Sequence, residues 1–283
     1  MATRTRRSQR RTEALSRERI VETAIELLDT AGESGLTFRA LTERLATGPG
    51  AVYWHVANKG ELLGAATDAV VAAALAAEPA ASAGSGGSAG SGGSAEPAGS
   101  AGSAASAEPA ESAASAASAR SAGSPQDGIR AVALGLFDAI EEHPWLATQL
   151  STQLSRSLWA TVAPRIFESI GRRIRALDVP ESSWFAATSA LMHYILGAAG
   201  QNAANAASAR TLGPDVDRAR FLDAASTAWE ELDPDDYPFT RTVADQLRGH
   251  DDREQFLAGI DLILAGITAL PRPGDEARTP PAT

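Results

Sequence analysis

From Glu78 to Gln126 the chain carries no large apolar side chain. Gly, Ser, Ala and Pro fill almost the whole stretch, which includes SAGSGGSAGSGGSAEPAGSAGS. Such a segment buries too little apolar surface to offset the entropy of ordering it, so 78–126 reads as a flexible linker. As a random coil it would span about 35–40 Å root-mean-square. It divides the 283 residues into two zones able to form a core, 16–77 and 127–270. A basic arm, 1–15, and a proline-containing tail, 271–283, flank them and are expected to be disordered.

Both zones show helical periodicity and neither shows the alternation of strands, which predicts an all-α protein. In 16–77, Ile20, Val21, Ala24, Ile25, Leu28 and Ala31 recur at spacings of three and four, and Gly32 supplies a stop. Thr37 reads as the N-cap of a second helix with Phe38, Leu41 and Leu45 on one stripe. Pro49 suits the first position of a third. Asn58, with Glu61 three residues on, reads as a capping-box variant opening a fourth. In 127–270 further helical segments follow, and the last, DREQFLAGIDLILAGITAL, carries Phe256, Ile260, Ile263 and Ile267 on one stripe, widened by Leu257 and Leu264.

The net charge of −10 conceals an asymmetry. Residues 1–75 hold ten Arg and Lys against nine Asp and Glu, and the first nineteen alone hold seven arginines against two glutamates. A basic end on an acidic body fits contact with a polyanion through one module, or alternatively a solvated basic tail. Short helices with a tight break before the third follow the plan of a helix-turn-helix, whose second element enters the major groove. Gly48, Pro49, Gly50 and Ala51 are small enough for close approach to base edges. Tyr53 and His55 can bond phosphate oxygens, as can Lys59, the chain's one lysine, at a helix start. Trp54 between them is expected to be buried.

The segment GLTFRALTERLATGPGAVYWHVANKGELL resembles the DNA-binding domain of the tetracycline repressor (TetR) family of bacterial transcription factors. The resemblance covers 16–77, with one departure: Ala46 stands where the family usually has glycine in the turn. It implies that Arg39 and Pro49, Gly50 and Ala51 face bases, with Tyr53, His55 and Lys59 on the DNA backbone. The arm TRTRRSQRR can lie along the backbone or in the minor groove, or serve only as a solubilising tail.

Over 127–270 the segments EEHPWLATQL, LMHYILGAAGQNA and FLAGIDLILAGITAL resemble the ligand-binding and dimerisation domain of the tetracycline-repressor branch. The resemblance implies a homodimer paired through the helix containing Leu191–Gly200 and the last helix. Phe137, Trp145, Trp159, Phe167, Phe185, Met192, His193 and Tyr194, with Gln201, Asn202 and His193 as polar anchors, are the candidate lining of an amphipathic effector pocket; plain core is the alternative for each. Aligned on HPWLATQL, the metal-binding histidine of tetracycline-responsive members falls near Leu150 and their second-shell glutamate near Gln201. That implies a metal-free ligand, and no cofactor is expected.

Other classes fare poorly. There is no cysteine, and the four histidines are scattered without an HExxH, GxSxG or Walker pattern, so no catalytic residue is expected. No apolar run is long enough for a membrane span, which makes the cytoplasm the expected location. The expected function is a ligand-responsive DNA-binding regulator, most simply a repressor acting on a pseudo-palindromic operator. The rival is a small-molecule-binding or scaffold protein whose basic arm docks a partner.

Overall fold

The computed structural model of the protein describes residues 15–76, 123–156, 161–211 and 218–270. The expectations for the arm up to residue 14, the linker up to residue 122, Trp159 and the tail lie outside these residues, while Pro125 and Gln126, expected in the linker, already belong to a helix. Among the described residues there are helices and no strand.

The first helix, α1 (Arg17–Gly35), starts where the Ser16 side chain accepts the Arg19 N–H at 3.2 Å. Gly32 was expected to end it. The backbone does leave helical geometry there, at φ 64 and ψ −170, but a last turn resumes and runs to Gly35. A positive φ at that point is open to glycine at little steric cost, which turns a stop into a kink. Helix α2 (Phe38–Arg44) begins with the Thr37 side chain accepting the Ala40 N–H, as its sequence requires. It closes with the Ala46 N–H on the Glu43 carbonyl and the Thr47 N–H on the Thr42 carbonyl, the paired bonds of a Schellman end. That end needs a left-handed residue, and Ala46 fills the place at φ 50. Alanine is strained there by about 1 kcal/mol. Ala46→Gly is therefore expected to raise the unfolding free energy by about 1 kcal/mol, read from urea titration; an unchanged midpoint would remove the assigned strain.

Helix α3 (Pro49–Tyr53) has Gly48 as its cap and Pro49 at its first position. Before α4 (Lys59–Ala76) the Asn58 side chain accepts the Glu61 N–H at 2.9 Å. Glu61 reaches back one residue further than a standard box, to the Ala57 N–H at 2.9 Å. Ile20, Ala24, Leu28, Leu41, Val52, Val56, Leu62 and Ala66 are buried together and join the four helices into a head.

The body comprises α5 (Pro125–Glu142), α6 (Trp145–Arg156), α7 (Val162–Arg175), α8 (Trp184–Thr211), α9 (Arg218–Glu230), α10 (Pro238–Val243) and α11 (Asp252–Thr268). Ser124 and Asp127 form a reciprocal capping box at the start of α5. Helix α8 is central and packs against α5, α6, α7 and α11. The second half of α4 leans on the body, meeting α5, α6 and α7. At Gly135 of α5 the two backbones come so close that an added Cβ would stand 2.5 Å from the Ala74 carbonyl oxygen.

In α11 the buried stripe is Phe256, Ile260, Leu264 and Ile267. Ile263 and Leu257, expected beside them, are half-buried, while Leu262 points outward at 75% exposure. No helix among the described residues is long and apolar enough to cross a membrane.

Candidate nucleic-acid interface

Helix α3 is anchored by Val52, which is fully buried, and the turn after it by Val56. These two residues, four apart, take the inward positions. Trp54, midway between them, is thereby turned out, and at 89% exposure it corrects the expectation of a buried ring. Tyr53 is half exposed, its ring stacked on Phe38 with centroids 4.7 Å apart. Gly48, Pro49 and Gly50 are exposed and Ala51 is half-buried. An added Cβ at Gly48 or Gly50 would meet nothing within 4 Å, so packing within the chain does not require glycine at either place. The smallness of this helix start is left available to an external partner.

Arg39 lies on the exposed face of α2, its Nε donating to Glu43 Oε1 at 2.9 Å. Exposed pairs of this kind hold by well under 1 kcal/mol, so the guanidinium is easily redirected. His55 is half-buried. Lys59 carries an unexpected bond, its Nζ donating to the Glu33 carbonyl at 2.6 Å. A lysine ammonium has three protons, so this contact leaves two to offer elsewhere. Beside it, the Ala57 N–H and then the Arg17 guanidinium hold the Glu61 carboxyl below its ordinary value.

The residues expected to line a pocket in the body do not converge. Phe137 is buried against Phe256, centroids 4.7 Å apart, and faces a cavity of about 210 Å³ between α5, α8 and the start of α11. Trp145 is buried elsewhere, its indole N–H on Asp29 of α1 at 2.7 Å. Phe167 packs on the exposed Phe185, Met192 is half-buried in the core, and His193 and Gln201 face outward. Gln201 spends its amide on Asn205. Besides Phe137 and Asn202, the cavity is lined by Ile140, Glu141, Pro144, Ala199, Ala203, Ala206 and Asp252. Three of these are alanines of α8, which leave no chemical mark in the sequence. Of the three expected polar anchors, Asn202 alone reaches the cavity wall, while Gln201 and His193 do not.

A compact head presenting a short exposed helix, set by α4 against a larger helical body, defines a helix-turn-helix regulator with a C-terminal helical domain. The chain belongs to the tetR family of bacterial regulatory proteins. Residues 20–66 match that family's DNA-binding domain, and residues 118–270 match the tetracyclin repressor-like C-terminal domain. The transcriptional regulator SCO7222, a TetR from Streptomyces coelicolor, is similar over 91% of this chain and 100% of its own, at 61% identity and a TM-score of 0.70. The tetracycline repressor protein class C of Escherichia coli is 47% identical over 57 residues, 20% of this chain and 26% of that repressor. This chain thus matches about a quarter of the length of such curated relatives. The fold is also that of Streptomyces coelicolor ActR, solved in complex with actinorhodin, at 20% identity over 91% of this chain and 97% of that one, TM-score 0.62.

Proposed function

We propose that the protein is a homodimeric, non-enzymatic repressor acting in the cytoplasm. Each subunit lays α3 into the major groove of one half of a pseudo-palindromic operator, and a small amphipathic molecule releases it. The observation that carries this reading is the bare, exposed start of α3, where Gly48 and Gly50 border open space. Around it, Arg39 and the Pro49–Ala51 stretch are assigned to base edges, and Tyr53, His55 and Lys59 to phosphates. The exposed Trp54 ring, next to Tyr53, joins that face. Since Pro49, Gly50 and Ala51 bear no hydrogen-bonding side chain, direct readout falls to Arg39 and to apolar contact with thymine methyls.

The pairing of two copies is supported by the outer faces of α8 and α11. There Phe185 and Leu262 are largely exposed among small residues such as Ala190, Gly197, Ala265 and Gly266. Exposed apolar faces of this kind mark association. The effector is assigned to the cavity beside Phe137, whose apolar walls and few polar groups suit an amphipathic molecule. Binding there shifts the dimer toward a state with misplaced recognition helices, and operator affinity falls by the ligand's preference for that state.

Selection from a randomised duplex pool tests the proposal. A preferred, two-fold symmetric sequence is the expected result; equal retention of every duplex would leave only electrostatic attraction and refute it. On the selected duplex Arg39→Ala should cost about 1–3 kcal/mol and less on random DNA. Lys59→Ala should weaken both alike and reduce the salt slope by about one. The reverse pattern would overturn these contact assignments.

A further inference from the structure

Two polar side chains near the end of α1, Asp29 and Glu33, are held by the body. Asp29 Oδ1 accepts both the His143 Nδ1–H and the Trp145 Nε1–H, each at 2.7 Å. The Gln149 amide donates to Glu33 Oε2 at 2.9 Å. Trp145 and Gln149 are buried and the His143 ring is shielded to 15% exposure, so each bond is covered on its donor side, while Asp29 and Glu33 lie at the surface. Between Asp29 and Glu33 lies the Gly32 kink, which swings the last turn of α1 off its axis. The backbone carbonyl of that same Glu33 is the one that receives Lys59 Nζ.

We infer that His143, Trp145 and Gln149 form a latch that positions Lys59 for the DNA backbone, acting through the kinked end of α1. Glu33 is the joint of this arrangement. Its side chain is fixed by α6 and its carbonyl holds the ammonium, so movement of α6 is passed to Lys59 without either touching the other. The latch also adjoins the cavity in the body: Glu141 and Pro144, on either side of His143 in sequence, belong to the cavity wall. A molecule that displaces the turn between α5 and α6 therefore displaces His143, and with it the grip on Asp29. These three residues do not contact DNA. They are positioning residues, and the inference rests on the reading of Lys59 as a phosphate contact.

The latch is tested on the full chain with the duplex recovered by selection, using Trp145→Phe combined with Gln149→Met. The first removes the indole donor and keeps a ring; the second removes the amide and keeps a side chain of similar length. The double variant is expected to lose ~3–10-fold in affinity. Its slope of log affinity against log salt should flatten toward that of Lys59→Ala. In a Lys59→Ala background the same two changes should then have no further effect. A loss of equal size in both backgrounds, or an unchanged slope, overturns the latch, because a general loosening of the fold would act whether or not Lys59 is present. If the double variant does not fold, Gln149→Met alone, which removes only the contact to Glu33, goes through the same cycle and decides. A wild-type chain that prefers no duplex overturns the DNA reading and the latch together. A wild type that prefers one, with a flatter slope for Lys59→Ala, upholds the DNA reading and leaves the cycle to judge the latch.

Discussion

Gly50→Leu is expected to abolish recognition of the selected duplex while leaving the fold as stable as before, or slightly more so. Gly50 is exposed in α3 and an added Cβ meets nothing within 4 Å. Within the chain, exchanging a helical glycine for leucine therefore brings a gain of up to about 1 kcal/mol. Toward DNA the outcome is opposite. A four-carbon side chain at the start of the recognition helix holds it away from the base edges, and a loss of about 3 kcal/mol, or ~100-fold, is expected. Gel retardation and a thermal melt of the same preparation check it. Undiminished binding would show that the start of α3 does not face the groove.

The second large effect lies where head meets body. Gly135→Val is expected to destabilise the protein by about 2–3 kcal/mol, as overpacked positions do. The new Cβ would stand 2.5 Å from the Ala74 carbonyl oxygen and 3.4 Å from its carbon. Both atoms belong to backbone, which cannot swing aside as a side chain can, so α4 and α5 must separate. Urea unfolding measures the loss. A midpoint equal to that of the unaltered chain would mean that the helices yield at no cost, and the close approach would lose its meaning.

The two halves of the protein were unequally legible in the sequence. Signals confined to a few neighbouring residues carried through. Thr37 and Asn58 cap as their types demand, Pro49 opens α3, and the small residues from Gly48 to Ala51 lie on an accessible helix start. Where the outcome depends on residues distant in the chain, the pattern misleads. Trp54 was expected inside because it is large and apolar, yet Val52 and Val56 already fill the inward positions. Trp145 is buried as a large ring should be, and its N–H is given to Asp29 at the junction with α1, a partner 116 residues away that its own neighbourhood does not announce. Of the cavity wall, Phe137 and Asn202 were legible in the sequence, while three alanines of α8 and an acidic residue from the start of α11 carried no mark there. Even Gly32 was legible only in part: its type announces a break, and whether helix resumes beyond it depends on what secures Asp29 and Glu33 on either side.

The seam between α4 and α5 bears on how such a protein can change over generations. These helices are neighbours in space, while 48 residues separate Ala76 from Pro125 along the chain. The aim of the head is therefore set by fit, backbone against backbone at Gly135, and not by the path of the covalent connection. A lineage could lengthen, shorten or rewrite that tether without re-aiming its reading head, so long as one glycine stayed in place.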